Sequence, residues 1–171
     1  LRLWGPGPSG PSAALPGDAV LADLIDFFNM PEDEVRRRCS NSNQISREVW
    51  LERNRETPIE LIEFWNRSSP VFGITMSHAK QFSGLHPASS VELALGLADM
   101  TPGTMLDFGV GPGTNAMFFS ELGWRVTMSD ISLVLLDFAR WRAELRGLDA
   151  ASFDTRTHRR PDAAFCLGMA L

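Results

Sequence analysis

Three alternating glycines constrain this fold more than any other feature of the chain. They stand in the stretch Leu-Asp-Phe-Gly-Val-Gly-Pro-Gly over residues 106–113, directly after a short apolar run and directly before a helical pattern. Glycine has no Cβ and tolerates positive φ, so such a stretch lets the backbone turn sharply and approach a ligand closely. The sequence therefore predicts a strand, a close-approach loop and a helix, in that order.

Strand and helix patterns alternate through the C-terminal half. They predict strands over 104–108, 124–129, 151–153 and 163–167, and helices over 115–122 and 133–146. Strands joined by helices of this length require right-handed crossovers, which make the sheet parallel. The predicted fold class is α/β, with an incomplete Rossmann-like parallel sheet of about four strands behind an all-helical N-terminal region.

Composition and periodicity divide the chain into three segments. Residues 1–17 are dense in Gly, Pro, Ser and Ala without a period, which predicts a flexible leader. Residues 18–100 carry helical patterns, which predict a helical N-terminal region. Residues 101–171 form the predicted partial Rossmann-like domain.

Capping signals predict where the N-terminal helices begin. Asp18 is predicted to cap the first helix, and Pro31 to lie in the first turn of the second. Thr57 and Glu60 have the spacing of a capping box, which predicts the start of a further helix. Pro70 is predicted to break that helix before the next helical stretch.

The spacing of the glycines decides which ligand is expected. A dinucleotide fingerprint, G-x-G-x-x-G, would begin at Gly109 and require glycine at position 114, where this chain has Thr114. Asp130 follows Gly109 by about twenty residues, at the predicted end of the second strand, where a carboxylate binds ribose hydroxyls. The pattern therefore favours a nucleoside-containing ligand other than NAD.

The pattern Asp107-x-Gly109-x-Gly111-x-Gly113 closely resembles the first motif of class I S-adenosylmethionine-dependent methyltransferases. The resemblance extends to Leu148, and more faintly to the end of the chain. It implies that the helical region over residues 18–100 lies on the substrate side of the fold. It implies that the cofactor is S-adenosyl-L-methionine and that the activity is transfer of a methyl group to an acceptor, interpreted as a small molecule.

The resemblance also implies roles within the cofactor site. Gly109, Gly111 and Gly113 would pass the backbone along the methionine portion and the ribose, and Asp107 would reach the methionine ammonium. Asp130 would accept hydrogen bonds from both ribose hydroxyls, because a carboxylate offers acceptors only.

Other site residues are assigned more loosely. By the same resemblance, Ile131 would pack on the adenine and Asp154 would contact the adenine amino group. No catalytic residue is assigned: His78 and His86 precede the loop, and either could act as a base, although a surface or packed histidine is the commoner case. Cys166 is interpreted as a buried apolar residue.

Each assignment has an alternative. The glycines could form a plain strand-to-helix turn, and Asp130 could cap the following helix, although Ser132 is better placed to do so. Asp154 depends on an alignment in which residues 147–162 are fewer than the family usually has. The alternative functions are a non-catalytic cofactor-binding fragment and, less favoured, an NAD-dependent oxidoreductase.

Composition argues against several functional classes. A net charge of −5 and a pI of about 5.2 argue against a nucleic-acid partner. No apolar run approaches the ~20 residues of a membrane span. Two cysteines far apart, without CxxC spacing, suggest reduced thiols and a cytoplasmic location, and the histidines form no ligand pair for a metal.

The resembled fold continues beyond a fourth strand, whereas this sequence ends at Leu171, shortly after the predicted fourth strand. We therefore expect a fragment or a truncated product that lacks about three strands and exposes an apolar sheet edge, which invites self-association.

Overall fold

The computed structural model describes residues 16–52, 56–67, 69–81, 89–152 and 165–168. Eight helices and four strands lie in these ranges. In chain order they are α1 (Pro16–Phe28), α2 (Glu32–Ser40), α3 (Ser42–Leu51), α4 (Pro58–Trp65), α5 (Ser69–Gln81), α6 (Ser89–Gly96), β1 (Thr104–Phe108), α7 (Thr114–Glu121), β2 (Arg125–Ser129), α8 (Leu133–Leu145), β3 (Ala151–Ser152) and β4 (Phe165–Gly168). All but the last two residues of the predicted leader lie outside these ranges.

The four strands form one parallel sheet in the order β3-β2-β1-β4. The predicted α/β class with a Rossmann-like parallel sheet behind a helical region is confirmed. The chain adds β2 and β3 on one side of β1 and then returns to add β4 on the other side. Strand order therefore reverses between β1 and β4, and in such sheets the crevice at the carboxyl ends of these strands is where ligands bind.

The helix starts agree with the sequence in part. The capping box at Thr57 and Glu60 is confirmed, with both of its hydrogen bonds present. Helix α1 begins at Pro16, ahead of the predicted cap at Asp18, and Pro31 is the N-cap of α2 rather than part of its first turn. Pro70 lies in the first turn of α5, a position where proline is tolerated because its missing N–H has no intrahelical partner there.

Helix α8 lies between two hydrophobic cores. One core joins the sheet to α7 and α8, and α8 contributes Leu136, Ala139 and Ala143 to it. The other core joins α1, α2 and α5 to the opposite side of α8, through Leu135 and Phe138. The N-terminal helices therefore pack directly on the helix that follows β2.

Among the described strands, β4 is hydrogen-bonded to β1 alone and β3 to β2 alone. Each presents one edge without a described neighbour, and an unpaired strand edge is a template for pairing with another chain. Self-association through such an edge remains a prediction.

Candidate cofactor-binding site

All three glycines after β1 have left-handed backbone conformations. The φ angles are +77° at Gly109, +54° at Gly111 and +79° at Gly113. Residues with a Cβ rarely adopt this region, and bulky or β-branched residues are outliers there. The alternating spacing therefore places glycine at each position where this loop has positive φ.

The loop is hydrogen-bonded to the end of β2. The N–H groups of Gly109 and Val110 both donate to the carbonyl oxygen of Ser129, at 2.8 and 3.0 Å. The N–H of Gly111 donates to Asp130 Oδ2 at 2.9 Å. Two adjacent residues of one strand end therefore hold the first half of the loop.

Asp130 is a buried carboxylate that holds two turns at once. Its Oδ1 accepts from the N–H of Ser132 at 2.8 Å, while Oδ2 binds Gly111. Burial raises the pKa of Asp130, and the surrounding backbone N–H groups oppose that rise. The alternative in which Asp130 caps α8 is wrong, because Ser132 is the N-cap and its side chain accepts from the Leu135 N–H.

Asp107, the next-to-last residue of β1, is the second buried carboxylate of the site. Its side chain is 2% exposed, and Oδ2 has no hydrogen-bond partner among the described residues. Burial raises the pKa of Asp107 to about 7, with a further contribution from the charge of Asp130, whereas a hydrogen bond from the Ala116 N–H lowers it. A buried, unpartnered carboxylate oxygen is costly, and it calls for a donor that lies outside the described residues.

Two hydroxyl groups beside the loop are in a similar state. Ser129 Oγ and Thr114 Oγ1 are buried and lack hydrogen-bond partners within the described ranges. Ser129 ends β2, and Thr114 begins α7. Unpartnered polar atoms thus cluster on the residues that flank the glycine loop, as expected where a polar ligand or ordered water completes the hydrogen bonding.

Apolar side chains are exposed at the same end of the sheet. Phe108, the last residue of β1, is 46% exposed, and Ile131, directly after Asp130, is 39% exposed. A Cβ added at Gly109 would meet no atom within 4 Å, so space lies open next to Phe108. Sequence reasoning missed Phe108, although the alternation along β1 places Met105 and Asp107 inward and the strand's last residue outward.

Asn66, at the end of α4, is another residue that the sequence did not reveal. Its Nδ2 donates to the carbonyl oxygen of Ile131 at 3.2 Å, and its Oδ1 accepts from the N–H of Leu133 at 2.8 Å. A cleft of about 590 Å³ lies beside it, lined by Ile59, Ile62, Glu63, Asn66, Leu133 and Val134. Helix α4 therefore fixes the turn that carries Ile131.

We report three solved structures that are similar to part of this chain. One comes from work on the conversion of a disulfide bond into a thioacetal group during echinomycin biosynthesis; it is 36% identical over 37% of this chain and 27% of its own, with a TM-score of 0.34. The Pyrococcus abyssi tRNA (uracil-54, C5)-methyltransferase in complex with S-adenosyl-L-homocysteine is 24% identical over 39% of this chain and 17% of its own, with a TM-score of 0.32. Coclaurine N-methyltransferase bound to N-methylheliamine and S-adenosylhomocysteine is 17% identical over 80% of this chain and 44% of its own, with a TM-score of 0.35.

The chain thus spans between 17% and 44% of the length of these structures. Two of the three are methyltransferases in complexes with S-adenosylhomocysteine. TM-scores of 0.32 to 0.35 are too low to establish a common fold. No protein-family model matches the sequence, and a search of curated proteins finds no match.

Some predicted residues cannot be placed. Asp154, His86 and His158 lie outside the described residues, and for His78 and Cys166 only the backbone is described.

Cys39 is a free, half-buried thiol whose pKa is raised by burial. Within the described part of the chain, no group of three His, Cys, Asp or Glu side chains is arranged to hold a metal ion, and no helix there is long and apolar enough to cross a membrane.

Gly113→Ala is expected to lower the free energy of unfolding by about 2–4 kcal/mol, because the left-handed backbone is strained by any Cβ and the added atom overlaps α8. That Cβ would lie 2.8 Å from the Cβ of Ala139. Urea denaturation measures the change. The matched control is Gly147→Ala, where φ is +68° but a Cβ would meet nothing within 4 Å, so only the strain is expected. Equal losses in the two variants would contradict the close contact of the loop with α8.

Asp130→Ala is expected to weaken cofactor binding by about 1.5–3 kcal/mol, the usual contribution of a hydrogen bond to a charged group. The variant loses the partner of the Gly111 N–H as well as any contact with ribose. Titration of S-adenosylhomocysteine into the variant measures the loss, with Asp137→Ala on the exposed side of α8 as the control. A change of only a few tenths of a kcal/mol would mean that Asp130 matters to neither loop nor ligand.

Proposed function

We propose that this chain binds S-adenosyl-L-methionine at the carboxyl end of β1, as part of a methyltransferase that acts on a small-molecule acceptor. The observation that carries the proposal is Asp107, a buried carboxylate with an unpartnered oxygen next to a loop of left-handed glycines. The ionised form of this carboxylate, which prevails above a pKa of about 7, offers acceptors only, so the partner of that form is a donor. An ammonium group, such as that of the methionine portion, supplies both the donors and the opposite charge.

The remaining groups of the site fit the rest of the same cofactor. Asp130 accepts hydrogen bonds from the backbone N–H groups of Gly111, Ser132 and Ile131, and a carboxylate with about four lone-pair sites keeps room to accept from a ribose hydroxyl. Phe108 and Ile131, which directly follow Asp107 and Asp130 in the sequence, expose apolar surface that an adenine ring would bury. The proposed role of Asp154 at the adenine amino group concerns a residue beyond the described ranges.

When bound, the cofactor supplies a methyl group on a positively charged sulfur, ready for displacement by a nucleophile. The chain's residues would bind and orient the cofactor: Asp107 would hold its ammonium, Asp130 would hold its ribose, and the loop that Asp130 supports would bring backbone close to it. Correct orientation of two reactants supplies roughly 7–11 kcal/mol of barrier reduction in favourable cases. A general base is needed only if the acceptor must lose a proton, so the proposal does not depend on an assigned base.

An NAD-dependent oxidoreductase is the weaker alternative. Thr114 stands where the dinucleotide fingerprint requires glycine, and Thr114 is fully buried as the first residue of α7. A non-catalytic cofactor-binding fragment uses the same site geometry as the proposed enzyme, and only an activity measurement separates the two.

Calorimetric titration with S-adenosylmethionine, S-adenosylhomocysteine and NAD tests the binding. We expect both sulfur compounds to bind at one site and NAD to give no heat. The purified chain is then incubated with S-adenosylmethionine labelled in its methyl group and with pooled small amines, phenols and thiols. Transfer of label supports the enzyme; binding without transfer supports the non-catalytic alternative; and absence of binding by either sulfur compound overturns the proposal.

A further inference from the structure

Helix α8 carries a buried arginine that contacts both the glycine loop and the N-terminal helices. Arg142 Nη1 donates to the carbonyl oxygen of Pro112 at 2.6 Å, and Nε donates to Asp23 Oδ2 at 2.8 Å. The side chain of Arg142 is 0% exposed and that of Asp23 is 8% exposed. One guanidinium therefore connects helix α1 with a loop about 90 residues further along the chain, across a region closed to water.

The cluster contains two positive charges, on Arg142 and Arg146, and one negative charge, on Asp23. Burial lowers the pKa of Arg142 to about 10, and Asp23 acts in the opposite direction. Arg142 therefore stays protonated at neutral pH, and all its bonds are charge-assisted. Arg146 Nη2 donates to the same Asp23 oxygen at 2.7 Å, and the Arg142 guanidinium lies 5.5 Å from the centre of the Phe138 ring. Apart from the loop, the Arg142 guanidinium therefore contacts Asp23 and the Phe138 ring, and Arg146 contacts the same Asp23 carboxylate.

Near Pro112 the loop offers few other groups that could hold it in place. Proline has no N–H, so the carbonyl oxygen is the only polar backbone atom of Pro112. The next residue, Gly113, packs so closely on Ala139 that a Cβ there would lie 2.8 Å away. Ala139 and Arg142 are three residues apart on α8, and residues at this spacing lie on the same side of a helix. This side of α8 therefore fixes the second half of the loop, as Asp130 fixes the first half.

A buried ion pair is weak evidence for a stabilising role, because well-packed apolar residues of similar volume are often as stable or more so. We propose that Arg142 is a positioning residue of the glycine loop, and that Asp23 makes helix α1 part of the loop's support. Arg142 acts through Pro112 and does not itself touch the ligand. The consequence for ligand affinity rests on the proposed function, whereas the consequence for the loop does not.

The test compares variants of the cluster with matched exposed controls. Asp23→Asn and Arg142→Lys alter the cluster, whereas Asp26→Asn on α1 and Arg140→Lys on α8 make the same changes at exposed positions. Amide hydrogen exchange of residues 109–114 is followed without ligand, and S-adenosylhomocysteine is then titrated as the probe. We expect the cluster variants to exchange about tenfold faster in the loop and to bind about tenfold more weakly, with β1 exchange and both controls unchanged.

A third variant separates positioning from stability. The double variant Asp23→Leu with Arg142→Met removes both charges and keeps apolar volume, so the chain is expected to fold with a stability near that of the parent. It lacks the hydrogen bond to Pro112, and we expect it to show the same fast exchange and weak binding. Parental exchange in a folded double variant would overturn the proposal, even if the single variants do not fold. If the parent chain fails to bind S-adenosylhomocysteine, the proposed function fails, and loop exchange still decides the role of Arg142.

Discussion

Gly111→Val is expected to abolish binding of S-adenosylmethionine. The backbone at Gly111 has φ +54°, which a β-branched residue adopts only with strain of about 1–3 kcal/mol. Relief of that strain is expected to pull the Gly111 N–H away from Asp130, and the valine side chain would project from the loop that the proposed function places against the cofactor. The two effects together are expected to lower affinity by more than about 100-fold, since each 1.4 kcal/mol is a factor of ten.

Calorimetric titration with S-adenosylmethionine and with S-adenosylhomocysteine measures the loss, and far-ultraviolet circular dichroism checks that the helices persist. The matched control is Gly147→Val, which places the same residue at φ +68° just after α8, where a Cβ meets nothing within 4 Å. That variant is expected to lose stability but to keep its affinity. Parental affinity in Gly111→Val would show that no ligand approaches this loop.

Asp107→Asn is expected to have the next largest effect. It should raise the stability of the ligand-free chain and lower the affinity for the cofactor. The folded chain holds a proton on Asp107 up to a pKa of about 7, whereas an unfolded chain releases it near ~4. Between these values the folded state binds more protons than the unfolded state, so the stability of the ligand-free chain falls as pH rises from about 4 to 7. Above about pH 7 the buried carboxylate is ionised, and its destabilising effect on the fold has reached its full size.

The asparagine variant carries no charge to bury, so we expect it to be more stable than the parent by about 2–4 kcal/mol at pH 8 and nearly equal at pH 4. Chemical denaturation at several pH values measures this difference, with Asp137→Asn on the exposed side of α8 as control. A variant less stable than the parent at pH 8 would mean that the Asp107 carboxylate has a donor of its own in the ligand-free chain.

Ligand affinity is expected to rise with pH over the range in which the stability of the ligand-free chain falls. An ammonium group pairs with the ionised form of Asp107, so affinity for S-adenosylhomocysteine should rise between pH 5.5 and 7, by up to about tenfold per unit. The Asp107→Asn variant should bind S-adenosylhomocysteine about 100-fold more weakly at pH 7.5 and lose this pH dependence. In it, a hydrogen bond between an ammonium and a carboxylate is replaced by a weaker one to a neutral amide. Titrations at three pH values decide the matter. A parent affinity that does not vary with pH would contradict the pairing.

Local patterns were sufficient to predict most of the secondary structure and the position of the loop. The strand predicted over 104–108 has the bounds of β1, and the glycine at 147 follows the end of α8 as expected. These features depend on periodicity and on glycine's conformational freedom, both of which are properties of short segments.

The bonds that support the site were not predictable in this way. Asp130 was placed at the end of β2 by spacing, but its bond to Gly111 depends on where the loop turns. Arg142 and Asp23 are separated by 119 residues, and Asn66 lies 67 residues before the Leu133 N–H that it binds. Such pairs are brought together only by tertiary packing, and a single sequence carries no periodic signal for them.

The position of α8 between two cores limits which substitutions this helix can accept. A helix that packs on one side only can vary at about half of its positions. On α8, by contrast, the exposed residues Asp137, Arg140 and Glu144 form one narrow stripe, and the other exposed residue, Leu145, is the last of the helix. Residues on either side of that stripe contact the sheet or the N-terminal helices, and volume changes in close-packed interiors are poorly tolerated. A mutational scan of the whole chain should therefore show α8 as its least permissive helix, with tolerance recurring every three to four residues along that stripe.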